Sequence, residues 1–215
     1  MKGDGVQRIF AVGDIHGCHD RLLDLLDRIP LDWSRDQLVF MGDYIDRGPQ
    51  SFEVVEHLIG LQELHPGIVF LKGNHEQMLA DYLSGKDRML YLYNGGQQTL
   101  ESYLRRSSPG ELPIPPSHRR FFDSLRLYYE TEAYIFVHAG LRHGVPLAEQ
   151  GPEDLLWIRE SFIDSRQPFG KRVVFGHTPF DRPLVQENKI GIDTGAVFGN
   201  QLTCVQLPDE IFYHA

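Results

Sequence analysis

Three times in the first half of the chain, a short apolar run ends in a glycine-containing polar motif and gives way to helix-spaced hydrophobics. Arg8-Ile9-Phe10-Ala11-Val12 leads into Gly13-Asp14-Ile15-His16-Gly17. Gln37-Leu38-Val39-Phe40-Met41 leads into Gly42-Asp43-Tyr44-Ile45-Asp46-Arg47-Gly48. Ile68-Val69-Phe70-Leu71-Lys72 leads into Gly73-Asn74-His75-Glu76. Unbroken apolar runs of this length read as strands buried on both faces. Leu22, Leu23, Leu25, Leu26 and Ile29 share one broad helical face, and Pro30 ends that helix. Val54, Val55, Leu58 and Leu61 form the inward face of the next, with Ser51 as its candidate cap. Asp43 follows Asp14 by 29 positions and Asn74 follows Asp43 by 31. A strand–helix–strand unit takes about 30 residues. The alternation predicts a parallel sheet with helices against it, and in such sheets a site forms outside the carboxyl ends of the strands. All three polar motifs fall there.

The second half has a different grammar. Asn94-Gly95-Gly96 breaks the chain before a helical stretch, Gln97 to Leu104. Ser107 to Ser117 holds Pro109, Pro113, Pro115 and Pro116 and predicts an irregular loop, either a Pro-rich connection or a gate over the site. Beyond it the pattern turns strand-rich. Tyr134-Ile135-Phe136-Val137 leads into His138-Ala139-Gly140, and Arg172-Val173-Val174-Phe175 into Gly176-His177. Lys189 to Asp193 and Leu202 to Leu207 read as closing strands. The expectation is an α/β chain whose second sheet packs on the first, all within one domain over residues 1–215.

Composition narrows the class without changing this picture. The 215 residues, 41% hydrophobic and 24% charged, suit a globular chain rather than a disordered one. The 21 glycines and 13 prolines predict many loops. A net charge of −9 argues against general affinity for nucleic acid, yet leaves room for a phosphorylated substrate, because bound cations reverse a local field. Two cysteines, Cys18 and Cys204, exclude a zinc-finger framework and read as reduced thiols. Met1 to Val6 shows no secretory pattern, and no apolar run approaches the ~18 residues of a membrane span. The corresponding expectations are a cytoplasmic location, no membrane partner and a monomer.

The polar residues that end strands are Asp14, His16, Asp43, Asn74, His138 and His177. All offer oxygen or nitrogen donors, a set suited to Mn, Fe or Zn. A central carboxylate such as Asp43 can bridge two metal positions, and two metals about 3.5–4 Å apart can activate a shared water and hold phosphoryl oxygens. Taken singly, each motif has a plainer account: Gly-Asp and Gly-Asn form turns, and a histidine after a strand is usually a hydrogen-bonded interior residue. Their conjunction, in order and at the expected period, is what calls for chemistry.

On these residues the chain resembles the PPP family of metallophosphoesterases: GDIHG (13–17), GDYIDRG (42–48), GNHE (73–76), HAG (138–140) and GH (176–177). The resemblance implies a calcineurin-like metallophosphoesterase fold of two packed mixed β-sheets flanked by helices. It implies Asp14, His16 and Asp43 on a first divalent metal, and Asp43, Asn74, His138 and His177 on a second, with manganese as the leading candidate. It further implies His75 as general acid with Asp46 orienting it, and Arg47 and Arg159 on substrate phosphate. The expected activity is hydrolysis of phosphoserine and phosphothreonine in proteins, with phosphotyrosine admitted, by a metal-bridging hydroxide and without a covalent intermediate. A serine or threonine alkoxide leaves only with a proton, which gives His75 and Asp46 their purpose. The rival is a symmetric diadenosine tetraphosphate hydrolase, whose leaving group needs no such proton; Asp46 and Glu76 favour the phosphatase. A non-catalytic metal-stabilised binding protein is the alternative from another class. His-Ala-Gly stands where eukaryotic members carry His-Gly-Gly, and their C-terminal regulatory loop has no counterpart after Leu207. Cys18, Tyr44 and Tyr103 are read mainly as packing residues, with a place beside the cleft as the alternative.

Overall fold

A computed structural model describes residues 8–107 and 114–215. Most of the Ser107–Ser117 loop and the Met1–Val6 segment lie outside the described residues. Among those described, ten strands form two five-stranded sheets. The first contains β1 (Ile9–Val12), β2 (Gln37–Phe40), β3 (Val69–Phe70), β9 (Thr203–Leu207) and β10 (Ile211–His214), in the order β10-β9-β1-β2-β3. β1, β2 and β3 are parallel, and β9 and β10 add antiparallel pairs at the other edge. The second contains β4 (Tyr128–Glu130), β5 (Tyr134–Val137), β6 (Arg172–Phe175), β7 (Leu184–Val185) and β8 (Lys189–Gly191), in the order β4-β5-β6-β8-β7. Both sheets are mixed, as expected.

The inner strands β1, β2, β5 and β6 are apolar along most of their length because each sheet is covered twice, and the period-two alternation decides which side chain goes where. From β1, Phe10 and Val12 pack under the helices, while Ile9 and Ala11 face the second sheet. From β2, Leu38 and Phe40 take the helix side, while Val39 and Met41 meet Phe136, Val174 and Ile190 across the inter-sheet core. Ile135, Val137, Val173 and Phe175 point outward into a third cluster with Leu155 and Phe162. The result is four layers, helices outside and sheets within.

The helices over the first sheet are α1 (His19–Arg28), α2 (Ser51–Leu64), α3 (Asn74–Leu83), α4 (Arg88–Tyr91), α5 (Gln97–Leu104) and α6 (Pro116–Ser124); α7 (Pro152–Trp157) and α8 (Glu160–Ile163) lie on the second. α1 stops where Pro30 requires it, with Ile29 already extended at ψ 130°. Between α4 and α5 the chain makes a π-type turn, Leu92–Gly96, kinked at Gly95 with φ 100°. One expectation fails. Ser51 does not cap α2, whose cap position is Gln50 with no side-chain bond; the Ser51 hydroxyl turns inward instead. Among the described residues, no helix is long and apolar enough to cross a membrane.

Candidate active site

The loops leaving β1, β2, β3, β5 and β6 meet where the carboxyl ends of the two sheets adjoin. They bring together Asp14, His16, Asp43, Asp46, Arg47, Asn74, His75, His138 and His177. Among the described residues, five of the seven non-glycine residues with positive φ are in this set: His16, Asp43, Asp46, Arg47 and His177. Left-handed backbone is unfavourable for residues with a Cβ, and it concentrates here because the loops must turn sharply to aim several side chains at one point. Two glycines make room. A Cβ on Gly73 would meet Asp43 Oδ1 at 2.0 Å, and one on Gly176 would meet Asp14 Oδ1 at 2.1 Å.

The histidine tautomers follow from their backbone partners. His16 Nδ1 donates to the Ile45 carbonyl at 2.8 Å, and His138 Nδ1 donates to the Met41 carbonyl at 2.9 Å. His16 therefore turns a bare Nε2 inward, the arrangement in which histidine binds metals; His138 Nε2 also points inward and would give up its proton to bind one. His16 Nε2 lies 3.4 Å from Asp43 Oδ2, and His138 Nε2 lies 3.4 Å from Asp43 Oδ1. Asp43 thus presents one oxygen to each group, as a bridging carboxylate would. Asn74 Oδ1 sits 3.0 Å from His138 Nε2 and 2.9 Å from His177 Nδ1. Asp14 Oδ2 accepts the His177 N–H at 3.0 Å, while Asp14 Oδ1 is buried without a partner.

This is a fit for divalent cations. Unpaired buried polar atoms are costly, and Asp14 Oδ1, His75 Nε2 and His177 Nε2 have no partner. Two groups among the described residues lie close enough to hold an ion, His16, Asp43 and His75, and Asp43, His138 and His177, with Asp14 in neither. The proton affinities say the same. Burial raises Asp14, helped by the nearby Asp193 carboxylate. Burial also opposes charge on Asp43, but His138 and His75 outweigh it and hold Asp43 well below the carboxylate range. His138 rises to about 10 because Asp43 overcomes its desolvation, and burial lowers His16 to about 3. One histidine carries the charge that balances the carboxylates.

His75 starts α3 beside Asn74. Its Nδ1 meets Asp46 Oδ2 at 2.6 Å, and its Nε2 is buried, unpartnered and 3.9 Å from Asp43 Oδ2. Burial lowers His75 to about 4, Arg47, His138 and Arg159 adding to it against the pull of Asp43; burial raises Asp46 to about 8 against the bond from Thr99. Arg47 donates from its guanidinium to His16 Nε2 at 2.6 Å and lies 5.4 Å from the centre of the Phe198 ring. Arg159 stands just before α8, half-buried, its guanidinium 3.3 Å from the Thr178 hydroxyl next to His177. The candidate metal ligands, His75, Asp46 and Arg47 are in this site, and Arg159 is at its rim. Tyr44 and Tyr103 are not: both are fully buried, bonded to the Leu71 carbonyl and to His118. Cys18 and Cys204 are free thiols, Cys18 half-buried with burial raising its pKa.

Several participants carry no signal in the motifs as first read. Glu76 is a clamp: Oε1 accepts the Tyr44 N–H at 2.8 Å, and Oε2 accepts those of Asp43 at 3.0 Å and Gly73 at 2.9 Å. Asp193, buried after β8, faces the Asp14 side and accepts the Gly195 N–H at 2.9 Å. Thr99 and Ser51 hold Asp46, with Thr99 Oγ1 2.7 Å from Asp46 Oδ1.

The sequence profile of the calcineurin-like phosphoesterases matches residues 7–202. The asymmetrical bis(5'-nucleosyl)-tetraphosphatase PrpE of Halalkalibacterium halodurans is 27% identical over 94% of this chain and 90% of its own. Serine/threonine-protein phosphatase 1 of Salmonella typhimurium is 32% identical over 94% of this chain and 92% of its own. In fold, the chain superposes on a cold-active protein tyrosine phosphatase with a TM-score of 0.75 at 20% identity, over 98% of this chain and 78% of the other.

Proposed function

The chain belongs to the calcineurin-like phosphoesterases, and on that premise we propose that it is a metal-dependent phosphoprotein phosphatase. It acts on phosphoserine and phosphothreonine, and on phosphotyrosine as well. Asp14, His16 and Asp43 would hold one divalent cation and Asp43, Asn74, His138 and His177 another, with Mn2+ the expected metal. The cations, when bound, supply an activated water and neutralise charge on the phosphoryl group.

The observation that carries this reading is the buried His75–Asp46 pair at 2.6 Å. Serine and threonine alkoxides are poor leaving groups, and a positioned acid is what they need. Asp46 holds Nδ1 and aims Nε2 at the position of the leaving oxygen, so a second proton taken up by the pair in the loaded site would be delivered there. Arg47 and Arg159, reaching the site from opposite sheets, can each offer paired N–H donors to phosphate oxygens. A cavity of about 560 Å3 beside the site, between α3, α4 and α7, adds support. Its floor is Met78, Leu90 and Trp157 and its walls carry Asp81, Asp87 and Glu153. Trp157 packs edge-on to His177 at 6.3 Å, so the cavity opens next to the chemistry. Three carboxylates there suit a peptide better than a dinucleotide bearing several phosphates.

A second reading, hydrolysis of a bis(5'-nucleosyl) tetraphosphate, is favoured by the similarity to PrpE along nearly the whole chain. That relative is named as an asymmetrical hydrolase, whereas the rival expected from the sequence is a symmetric one. A phosphate-release panel on metal-stripped protein reloaded with Mn2+ separates the two. Turnover of phosphoserine, phosphothreonine and phosphotyrosine peptides, with diadenosine tetraphosphate poor, supports the phosphatase. Strong cleavage of the dinucleotide with inert peptides overturns it.

A further inference from the structure

The Thr99 hydroxyl has its bonding fully determined. It lies 2.7 Å from Asp46 Oδ1, 2.8 Å from the Asp46 N–H and 3.0 Å from the Ser51 hydroxyl, and Thr99 and Ser51 are both fully buried. A hydroxyl has one proton and two lone pairs. Thr99 Oγ1 donates to Asp46 Oδ1, because the Asp46 oxygen that shares a proton with His75 Nδ1 is Oδ2. The lone pairs then take the Asp46 N–H and the Ser51 proton. Ser51 accepts in turn a second contact from the Asp46 N–H at 3.2 Å. No rotation of Asp46 is left free: one hydroxyl grips its backbone and one of its carboxylate oxygens at once.

We propose that Thr99 is a positioning residue for proton donation, fixing Asp46 Oδ1 so that Oδ2 alone receives His75 Nδ1 and the ring presents Nε2 to the substrate. The inference rests on the phosphatase reading above. The turn preceding α5 shows how the chain achieves it. Gly95, at φ 100°, lets its carbonyl accept the Arg47 N–H at 3.1 Å, and α5 then carries Thr99 to Asp46. The same turn therefore sets both the phosphate-binding arginine and the support of the acid, from a segment 53 residues away from Asp46 in sequence.

The test uses Mn2+-loaded wild type, Thr99→Val and Thr99→Ser, each assayed on a phosphoserine peptide and on p-nitrophenyl phosphate, with metal content measured in parallel. Valine keeps the volume and removes the hydroxyl. The expected result is a kcat on phosphoserine lowered about 10- to 100-fold, in the range of a misplaced catalytic group, with KM and metal content held. Nitrophenolate leaves without a proton, so that substrate should lose less than about threefold. Thr99→Ser restores phosphoserine turnover. Thr99→Ala takes the place of valine if the latter does not fold. Equal losses on both substrates, or no loss on phosphoserine, overturn the role of Thr99 while leaving the phosphatase reading intact. Wild type inert on both esters sinks that reading and this inference together.

Discussion

The first sheet supplies Asp14, His16, Asp43, Asp46, Arg47, Asn74 and His75, and its loops are bonded to one another many times over. Glu76 ties the motif after β3 to the one after β2 through three backbone N–H groups, and the Ile15, His16 and Gly17 N–H groups reach the Asp43 and Tyr44 carbonyls. The second sheet supplies His138, His177 and, from the connection between β5 and β6, Arg159. Its two histidines take their orientation from the first sheet, His138 through the Met41 carbonyl and His177 through Asp14 and Asn74. One sheet is a self-supporting frame that carries the His75–Asp46 pair and four of the six candidate metal ligands; the other lends His138 and His177 across a seam. Damage confined to the His75–Asp46 pair should strike turnover, and damage at the seam should strike metal retention.

The sharpest break in that contrast is His75→Ala. Phosphoserine turnover should fall roughly 10²–10⁴-fold, with metal content held. The matching seam variant, His177→Ala, should instead lower Mn2+ affinity by at least about 100-fold, more than a supporting residue would. Titration with Mn2+ under activity readout distinguishes them: excess metal rescues His177→Ala in part and His75→Ala not at all. If both variants respond alike to metal, the division of labour is wrong.

Glu76→Gln probes the frame itself. Replacing a carboxylate oxygen by an amide NH2 sets a donor against a backbone N–H, which should cost about 1–3 kcal/mol of stability. Thermal melts of metal-free protein read this directly. A Tm within error of wild type would mean the clamp is dispensable.

How much of this was legible follows from where each signal resides. β1, β2, β5 and β6 stand out because strands covered on both faces must be apolar at every position, and each ends abruptly in a motif. β4 and β10, at sheet edges, were missed: Tyr128 to Glu130 and Ile211 to His214 are part-exposed and mix aromatic with polar residues. The ligands were readable because each occupies a strand end, where backbone topology gathers them. Thr99 was not, because nothing local marks a threonine that bonds 53 positions back. Asn94-Gly95-Gly96 was the only cue. Ser51 misled by looking like a cap, the commonest use of serine before a helix. The Glu76 clamp was not readable, because its partners are all backbone N–H groups and leave no mark in the sequence.

Proton linkage sharpens the seam further. In the metal-free site Asp14 is raised, and His138, at about 10, keeps its proton at neutral pH. A metal needs His138 Nε2 without its proton, so loading must expel at least that one. Apparent Mn2+ affinity should therefore rise with pH between 6 and 9, by about tenfold per unit for each proton displaced. Calorimetry in buffers of different ionisation enthalpy counts them. Affinity independent of pH would remove His138 from the ligand set.

The smallest effect concerns the cavity between α3, α4 and α7. Asp87 and Glu153 are exposed and Asp81 is half-buried, so these charges act weakly and largely through solvent. Neutralising all three should lower KM for diadenosine tetraphosphate by roughly twofold per charge at low salt, and leave p-nitrophenyl phosphate unchanged. The difference should vanish above about 0.5 M salt, where the Debye length is shorter than the spacing across the cavity. A KM that does not move at low salt would show that a nucleotide's phosphates never pass this wall. The preference for peptides would then have to come from the His75 side alone, from leaving-group chemistry and not from repulsion.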